Sequence, residues 1–169
     1  MYPIEKFIGK YMPSHPVIIE AGSHDAGDTV YMSKIWPQAK IYTFEPNPYW
    51  HPTIRQRISS HPNISFYPIA LGDHIGTVDF YESLRDKGGG DCTVKPILSD
   101  LFWTDMLTNS AFAAPVKVPV TTLDSWAEQH FVDHVDFMWL DMEGSEGKMF
   151  LGCEKLLRKT SIIQTEWSE

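Results

Sequence analysis

Cysteine is scarce in this chain, which has only Cys92 and Cys153 among its 169 residues. The two do not form a Cys-x-x-Cys pair, and no cysteines and histidines stand at the spacing that binds zinc. A disulfide scaffold is therefore not expected, and a reducing compartment such as the cytoplasm fits best. Carboxylates and histidines show no metal-binding spacing either, so we predict no metal site.

Basic runs and long apolar runs are also missing. The chain has 14 lysines and arginines against 22 aspartates and glutamates, a net charge of −8. Binding to phosphates requires a basic surface, so nucleic acid is not expected as a partner and a small or neutral molecule is favoured. No apolar stretch is long enough to cross a bilayer, and residues 1–11 do not read as a signal peptide. We therefore expect a soluble, cytoplasmic protein without a membrane partner.

What the sequence does contain is apolar runs alternating with helical patterns. A hydrophobic content of 43% supports a packed core, and the length suits a single domain over residues 1–169. The alternation is typical of parallel βαβ units. The predicted strands are 17–20, 40–45, 64–68, 135–141 and 161–167. The predicted helices are 28–36, 49–58, 123–129 and 145–159, the last with a weak point at Gly152.

Two further segments, 77–82 and 116–121, alternate apolar and polar residues and predict an antiparallel hairpin. The irregular stretch 83–115 separates them, and its glycines 88–90 could form a lid or a simple flexible turn. The predicted fold is therefore α/β, Rossmann-like, with a mostly parallel doubly wound sheet and an inserted hairpin. Because the chain stops after the fifth strand, we expect that edge to be covered by further chain or by a second copy in a homodimer.

Three acidic residues lie at the C-terminal ends of predicted strands: Glu20, Glu45 and Asp141. In doubly wound sheets the ligand binds beyond the carboxyl ends of the strands, where the strand order reverses. Gly22 in the first turn permits close backbone approach, and the following helix N-terminus provides free amides. A carboxylate only accepts hydrogen bonds, so Glu45 is suited to hold two ribose hydroxyls.

Other nucleotide-binding motifs fit less well. The first turn reads Glu20-Ala-Gly22-Ser-His-Asp-Ala-Gly27, one glycine short of the dinucleotide fingerprint. No Tyr-x-x-x-Lys pair occurs, so a nicotinamide-dependent oxidoreductase is disfavoured. A kinase-like phosphate loop is excluded because Asp28 stands where its lysine should be.

The complete set of motifs resembles the FkbM-type methyltransferases from about residue 17 to residue 169. The motifs are Val17-Ile-Ile-Glu20-Ala-Gly22-Ser-His-Asp25, Tyr42-Thr-Phe-Glu45-Pro46-Asn-Pro48, Ile69-Ala70-Leu71-Gly-Asp73, Thr122-Leu-Asp-Ser125 and Val135-Asp-Phe-Met-Trp-Leu-Asp141-Met-Glu143-Gly-Ser-Glu146. This resemblance implies S-adenosylmethionine as cofactor and O-methylation of a hydroxyl on a small molecule, sugar or glycan.

The resemblance also implies roles for individual residues. The methionine portion of the cofactor would contact the first turn, the ribose the second turn, and the adenine the segment after the third strand, with Asp141 near the methionine amino group or the reacting centre. The residues implied in cofactor binding are Glu20, Gly22, Ser23, His24, Glu45, Pro46, Ala70, Leu71 and Asp141. The chain departs from the family in having Ala26 where glycine is usual. It also lacks the antiparallel strands that usually follow the position of Trp167.

A hydroxyl acceptor benefits from a general base, and the candidates are Glu143, Asp141 and Glu166, with His24 less favoured. Glu143 could instead stabilise the N-terminus of the next helix, and Glu166 could be an exposed edge residue. Trp139, in the buried fourth strand, is expected in the core. A second hypothesis is a cofactor-binding module that is inactive alone and needs a partner or a missing C-terminal segment.

Overall fold

The computed structural model describes residues 3–82, 93–94 and 114–165 of the chain. The strands are β1 (Val17–Ala21), β2 (Lys40–Phe44), β3 (Ile64–Tyr67), β4 (Ala70–Leu71), β5 (Gly76–Tyr81), β6 (Thr93–Val94), β7 (Val116–Thr121), β8 (Val135–Leu140) and β9 (Thr160–Thr165). The helices are α1 (Glu5–Ile8), α2 (Gly27–Ile35), α3 (His51–Ile58), α4 (Leu123–Gln129), α5 (Glu146–Leu151) and α6 (Glu154–Leu157), and the 3₁₀ turn Gly9–Tyr11 follows α1. Apart from the helix predicted over 145–159, the predicted elements within the described residues are thus present, with small shifts at their ends.

The central sheet has five parallel strands in the order β3-β2-β1-β8-β9. The chain runs outward from β1 to β3 and later returns to place β8 beside β1. The strand order therefore reverses between β1 and β8, which confirms the predicted doubly wound α/β fold.

The predicted hairpin is confirmed in its pairing, since β5 and β7 are antiparallel. The hairpin lies beside the central sheet. It belongs to a separate mixed sheet in the order β4-β7-β5-β6, in which β4 runs parallel to β7. The short β4 follows β3 in the chain, and it joins this side sheet to the end of the central one.

Alternate residues of β1 and β8 serve the two faces of the central sheet, as the period of a strand requires. Ile18 and Phe137 pack with Met32 of α2 on one face. On the other face Ile19 and Met138 pack with buried residues of the C-terminal helices, which include Leu123, Trp126, Met149 and Leu156. Helices thus cover both faces, and the near-continuous apolar sequences of these strands follow from that burial.

The predicted single helix 145–159 is wrong, because the chain breaks at Gly152 into α5 and α6. A Cβ atom on Gly152 would lie 2.0 Å from the carbonyl oxygen of Gly72. The carbonyl of Gly152 in turn accepts a hydrogen bond of 3.0 Å from the backbone N–H of Asp124. Contacts with two distant segments therefore fix the break, and only glycine allows the close approach.

Asp124 of α4 explains part of the Thr-Leu-Asp-Ser motif. Its carboxylate accepts hydrogen bonds of 2.9 and 2.8 Å from the backbone N–H groups of Lys155 and Leu156, in the first turn of α6. The Thr122 hydroxyl accepts from the Ser125 N–H and caps α4. The motif thus begins one helix and caps another.

The last described strand lies at an edge of the central sheet. Strand β9 pairs with β8 and lies at the edge of the central sheet among the described strands. In the part of the chain that the structure describes, no helix combines the length and apolar character needed to span a membrane.

Candidate functional site

A cavity of about 590 Å³ opens at the carboxyl ends of the central strands, at the reversal of strand order. Ligand pockets of proteins have volumes of about 300–1,000 Å³, and doubly wound folds bind their ligands at this position. All candidate residues that fall within the described part of the chain line this cavity: Glu20, Gly22, Ser23, His24, Glu45, Pro46, Ala70, Leu71, Asp141 and Glu143. Glu166 and the glycines 88–90 lie outside the described residues.

The turn after β1 is held against the end of β8. The Asp141 N–H donates a 2.9 Å hydrogen bond to the carbonyl of Ala21. Gly22 has a positive φ of 85°, and a Cβ atom there would lie 1.7 Å from the carbonyl oxygen of Asp141. Glycine is required at this position both by its backbone conformation and by this contact. The backbone of the turn thereby becomes part of the cavity wall.

The turn after β1 forms backbone hydrogen bonds with β2 and also within the turn. The N–H groups of Gly22 and Ser23 both donate to the carbonyl of Phe44, at 3.0 and 3.2 Å, and Ala26 N–H donates to the Ser23 carbonyl at 2.7 Å. Ala26 has a left-handed φ of 62°. The turn therefore keeps a conformation typical of glycine although an alanine occupies it.

Glu45 lies buried directly after β2. One carboxylate oxygen accepts a 2.8 Å hydrogen bond from the His24 N–H, and the other accepts one of 2.8 Å from the Asn47 N–H. Burial raises the pKa of Glu45 to about 7, against the lowering effect of these two bonds. Each oxygen retains further accepting capacity, so the side chain is oriented to receive donors from a ligand in the cavity.

Glu20 lies at the end of β1, below the first turn. Thr29 of α2 and Thr43 of β2 donate their hydroxyl hydrogens to one of its oxygens, the Thr43 bond measuring 2.8 Å. Burial raises the pKa of Glu20 to about 7. The carboxyl group thus joins β1, β2 and α2 from within the structure while its residue contributes to the cavity wall.

This buried carboxyl predicts an unusual dependence of stability on pH. Because the pKa of Glu20 rises from 4.5 to about 7 on folding, the folded chain keeps this proton over the interval in which the unfolded chain has lost it. The contribution of Glu20 to the free energy of unfolding is therefore favourable below pH 4.5 and is lost as the pH rises to about 7. Glu20→Gln removes this titration and keeps an acceptor for both threonines.

We expect Glu20→Gln to become more stable relative to the wild type as the pH rises, by on the order of 3 kcal/mol in total. Urea unfolding at a series of pH values measures this difference. Glu128→Gln, at an exposed position on α4, is the control and should give no such trend. A stability difference for Glu20→Gln that stays constant over the interval would contradict the assignment.

The loop after β8 brings two carboxylates to the cavity. Glu143 and Gly144 have positive φ values of 52° and 86°, so the backbone has left strand geometry. Asp141 and Glu143 consequently both line the cavity, although they are two residues apart. Glu146 accepts a 2.8 Å hydrogen bond from the Met142 N–H and fixes this loop at the start of α5.

Several residues of the cavity wall were not predicted from the sequence: Asp28, Asn47, Trp50, Phe80 and Trp139. Trp139, expected in the core, packs against core residues but is only half-buried and also lines the cavity. Its position could have been found from strand register, because it pairs with Glu20. The ring of Trp50 lies 4.0 Å from that of His24, a contact between two separate turns that no local pattern indicates.

The parallel sheet, the glycine turn after β1 and the acidic residue after β2 are the features of a Rossmann-like methyltransferase fold. The chain matches the family described as "Methyltransferase FkbM domain" over residues 20–169, and it belongs to this family. The resemblance read from the motifs is thereby confirmed.

Two curated relatives carry methyltransferase names. The chain is 27% identical over 161 residues to the 2-O-methyltransferase NoeI of Sinorhizobium fredii (strain NBRC 101917 / NGR234). This alignment covers 91% of the chain and 64% of NoeI. Over 166 residues the chain is 23% identical to the methyltransferase sdnD of Sordaria araneosa, with 85% of this chain and 62% of that protein covered. The chain thus spans less than two thirds of the length of both relatives.

Proposed function

We propose that the protein is an S-adenosylmethionine-dependent O-methyltransferase that acts on a hydroxyl group of a small molecule, sugar or glycan. Family membership and the names of two relatives, one a 2-O-methyltransferase, support this proposal. The observation that carries it is the arrangement of Glu45. Its buried carboxylate is oriented by two backbone N–H groups and lines the same cavity as the glycine turn.

The residues of the cavity fit S-adenosylmethionine. At the contact between Gly22 and Asp141 the cavity wall consists of backbone atoms, because there is no room for a side chain on Gly22. Ser23 and Asp28 each have a buried polar atom without a hydrogen-bond partner among the described residues, so the wall has capacity for a polar ligand. Glu45 would hold the ribose hydroxyls. Ala70 and Leu71, both buried apolar residues at the wall, would contact the adenine.

When bound, S-adenosylmethionine supplies an electrophilic methyl group for transfer to an oxygen nucleophile. The chain's own residues position the two reactants, which provides much of the rate of such a reaction. Glu143 would accept the proton of the acceptor hydroxyl, and Asp141, also at the end of β8, would orient the reacting groups. Both follow β8 and line the cavity, and the backbone between them and α5 is left-handed at Glu143 and Gly144.

The role of Glu143 gives a testable prediction. Glu143→Gln keeps the shape of the side chain but removes the base, so we expect turnover to fall by about 10²–10⁴-fold. Affinity for S-adenosylhomocysteine should stay within about twofold, since the proton acceptor belongs to the acceptor side. Formation of S-adenosylhomocysteine with a panel of hydroxyl acceptors measures the first quantity, and calorimetric titration the second.

Glu128→Gln, on the exposed face of α4, is the matched control and should leave both quantities unchanged. If Glu143→Gln retains wild-type turnover, Glu143 is not the base. A variant that loses cofactor affinity and turnover together would instead indicate a structural role of this carboxylate in the loop.

A second candidate is a cofactor-binding module that needs a partner for turnover. The position of β9 at the edge of the described central sheet favours it, because an edge strand offers backbone groups for pairing with a further strand or a second copy. Binding of S-adenosylhomocysteine without turnover on any acceptor, together with a dimer in analytical ultracentrifugation, would support this alternative.

A further inference from the structure

An ion pair beside the cavity joins the turn after β1 to helix α3. The guanidinium nitrogen Nη1 of Arg57 lies 2.6 Å from the carboxylate oxygen Oδ2 of Asp25. Asp25 lines the cavity, whereas Arg57 is not among the described lining residues. Burial acts to raise the pKa of Asp25, but the bonds to Arg57 and to the Gly27 N–H hold that pKa below its usual value. Asp25 is therefore an ionised partner for the guanidinium group.

Asp25 connects this ion pair to the start of α2. Its other oxygen, Oδ1, accepts a 2.9 Å hydrogen bond from the N–H of Gly27, the first residue of α2. A Cβ atom on Gly27 would lie 3.0 Å from this oxygen and 3.4 Å from Nη1 of Arg57. The carboxylate and the guanidinium group thus both pack closely on the backbone at the end of the turn.

The turn needs such contacts because the residues on both sides of Asp25 are strained. His24 and Ala26 have positive φ values of 51° and 62°. A residue with a Cβ atom keeps this left-handed conformation only where the surrounding structure imposes it. Within this strained segment, the His24 N–H donates the 2.8 Å hydrogen bond that orients Glu45. The direction of this N–H therefore depends on the contacts that hold the turn.

Helix α3 provides two of these contacts from one face. Trp50 directly precedes the helix with helical dihedral angles, and Arg57 lies in its last turn. Their separation in the chain corresponds to about two helical turns, so they lie on the same face, with the buried Ile54 between them. The ring of Trp50 lies 4.0 Å from that of His24, and Arg57 bonds to Asp25. Two consecutive residues of the strained turn are thus held by this face of α3.

We propose that Arg57 is a positioning residue for the candidate cofactor site: through Asp25 it holds the turn after β1 so that the His24 N–H orients the Glu45 carboxylate. This inference rests on the proposed function, in which Glu45 holds the ribose hydroxyls. The side chains of the ion pair are 38% and 33% exposed, which limits its strength. The other oxygen of Glu45 accepts from the Asn47 N–H, outside this turn. Loss of Arg57 therefore weakens cofactor binding less than loss of Glu45 itself.

Arg57→Met tests this role, since it removes the charge and keeps a long side chain with good helix propensity. We expect the affinity for S-adenosylhomocysteine to fall by about 3- to 10-fold, because a short charge-assisted hydrogen bond that solvent partly screens is lost. Isothermal titration measures this affinity, and circular dichroism with thermal unfolding checks the fold of each variant. Arg57→Lys restores the charge and should bind within about twofold of the wild type.

Arg55→Met is the matched control. Arg55 belongs to the same helix, but its guanidinium group lies 5.5 Å from the centre of the Phe66 ring rather than at the turn. This substitution makes the same change of side chain at an exposed position. It should therefore leave the affinity for S-adenosylhomocysteine unchanged.

A second measurement needs no ligand. Burial raises the pKa of Glu45 to about 7, and the His24 N–H is among the groups that lower it. If Arg57→Met displaces this N–H, the titration midpoint of Glu45 should rise above its wild-type value. NMR of the glutamate carboxyl carbons measures the midpoint, and the Glu45 signal is identified by its absence in Glu45→Gln. A role of Arg57 in stability alone would leave this midpoint unchanged.

Unchanged affinity for S-adenosylhomocysteine in Arg57→Met, or an unchanged midpoint of Glu45, would overturn the inference. Binding by Arg57→Lys that is as weak as binding by Arg57→Met would also overturn it, since the charge would then not be the cause. If the folded wild type does not bind S-adenosylhomocysteine, the proposed function fails. The midpoint in Arg57→Met then still decides whether Arg57 acts on Glu45, so the two failures are distinguishable.

Discussion

Gly22→Ala is expected to abolish binding of S-adenosylhomocysteine and to lower the free energy of unfolding by about 3 kcal/mol or more. An alanine at the φ of 85° found here costs roughly 1–2 kcal/mol, as a left-handed conformation does for any residue with a Cβ atom. The new Cβ would also lie 1.7 Å from the carbonyl oxygen of Asp141 and 2.7 Å from its carbonyl carbon. Overpacking of this kind adds about 1–3 kcal/mol.

The clash lies between two backbone segments, so no side-chain rotation relieves it. The turn after β1 and the loop after β8 must separate, which moves Ser23, Asp141 and Glu143 away from their positions around the cavity. Urea unfolding and calorimetric titration measure the two effects. Gly9→Ala is the control, because its Cβ would meet only the Glu5 Cβ at 3.9 Å among the described atoms. Wild-type stability and affinity in Gly22→Ala would contradict the described geometry.

Glu45→Ala is expected to weaken S-adenosylhomocysteine by about 100-fold or more. The substitution removes the acceptors proposed for the ribose hydroxyls, and a site built to hydrogen-bond a hydroxyl loses several kcal/mol when a partner is missing. It also leaves the N–H groups of His24 and Asn47 without their present acceptor. Both the ligand and the turns that surround it therefore lose contacts.

A ligand without ribose hydroxyls separates these two contributions. The 2′,3′-dideoxy analogue of S-adenosylhomocysteine should bind the wild type weakly and should lose little more in Glu45→Ala. Equal losses for both ligands would show that Glu45 only orders the turns through its two backbone bonds. Glu128→Gln again serves as the surface control and should bind both ligands as the wild type does.

The sequence allowed the middle of the central sheet to be predicted because β1 and β8 are buried on both faces. Strands such as β8 then read as apolar runs, and the acids that follow them mark one edge of the sheet. The resemblance to the family then assigned a part of the cofactor to each turn. Glu20, Glu45 and Asp141 were therefore predicted as a group, and they do line one cavity.

What could not be predicted depends on contacts between distant segments. The break at Gly152 arises from its approach to Gly72, far away in the chain. The side sheet arises because β4 pairs with β7 rather than with the central strands. Trp50 and Asp28 belong to the cavity wall only because the turns after β1 and β2 meet there. No periodicity within either turn carries that information.

Isothermal titration of the chain with S-adenosylhomocysteine tests the central claim most directly. We predict micromolar binding, with no heat from NADH under the same conditions, since the first turn lacks the dinucleotide fingerprint. The absence of binding to a chain that is folded by circular dichroism would contradict the account, because the cavity at the strand reversal would then not be a site for this cofactor.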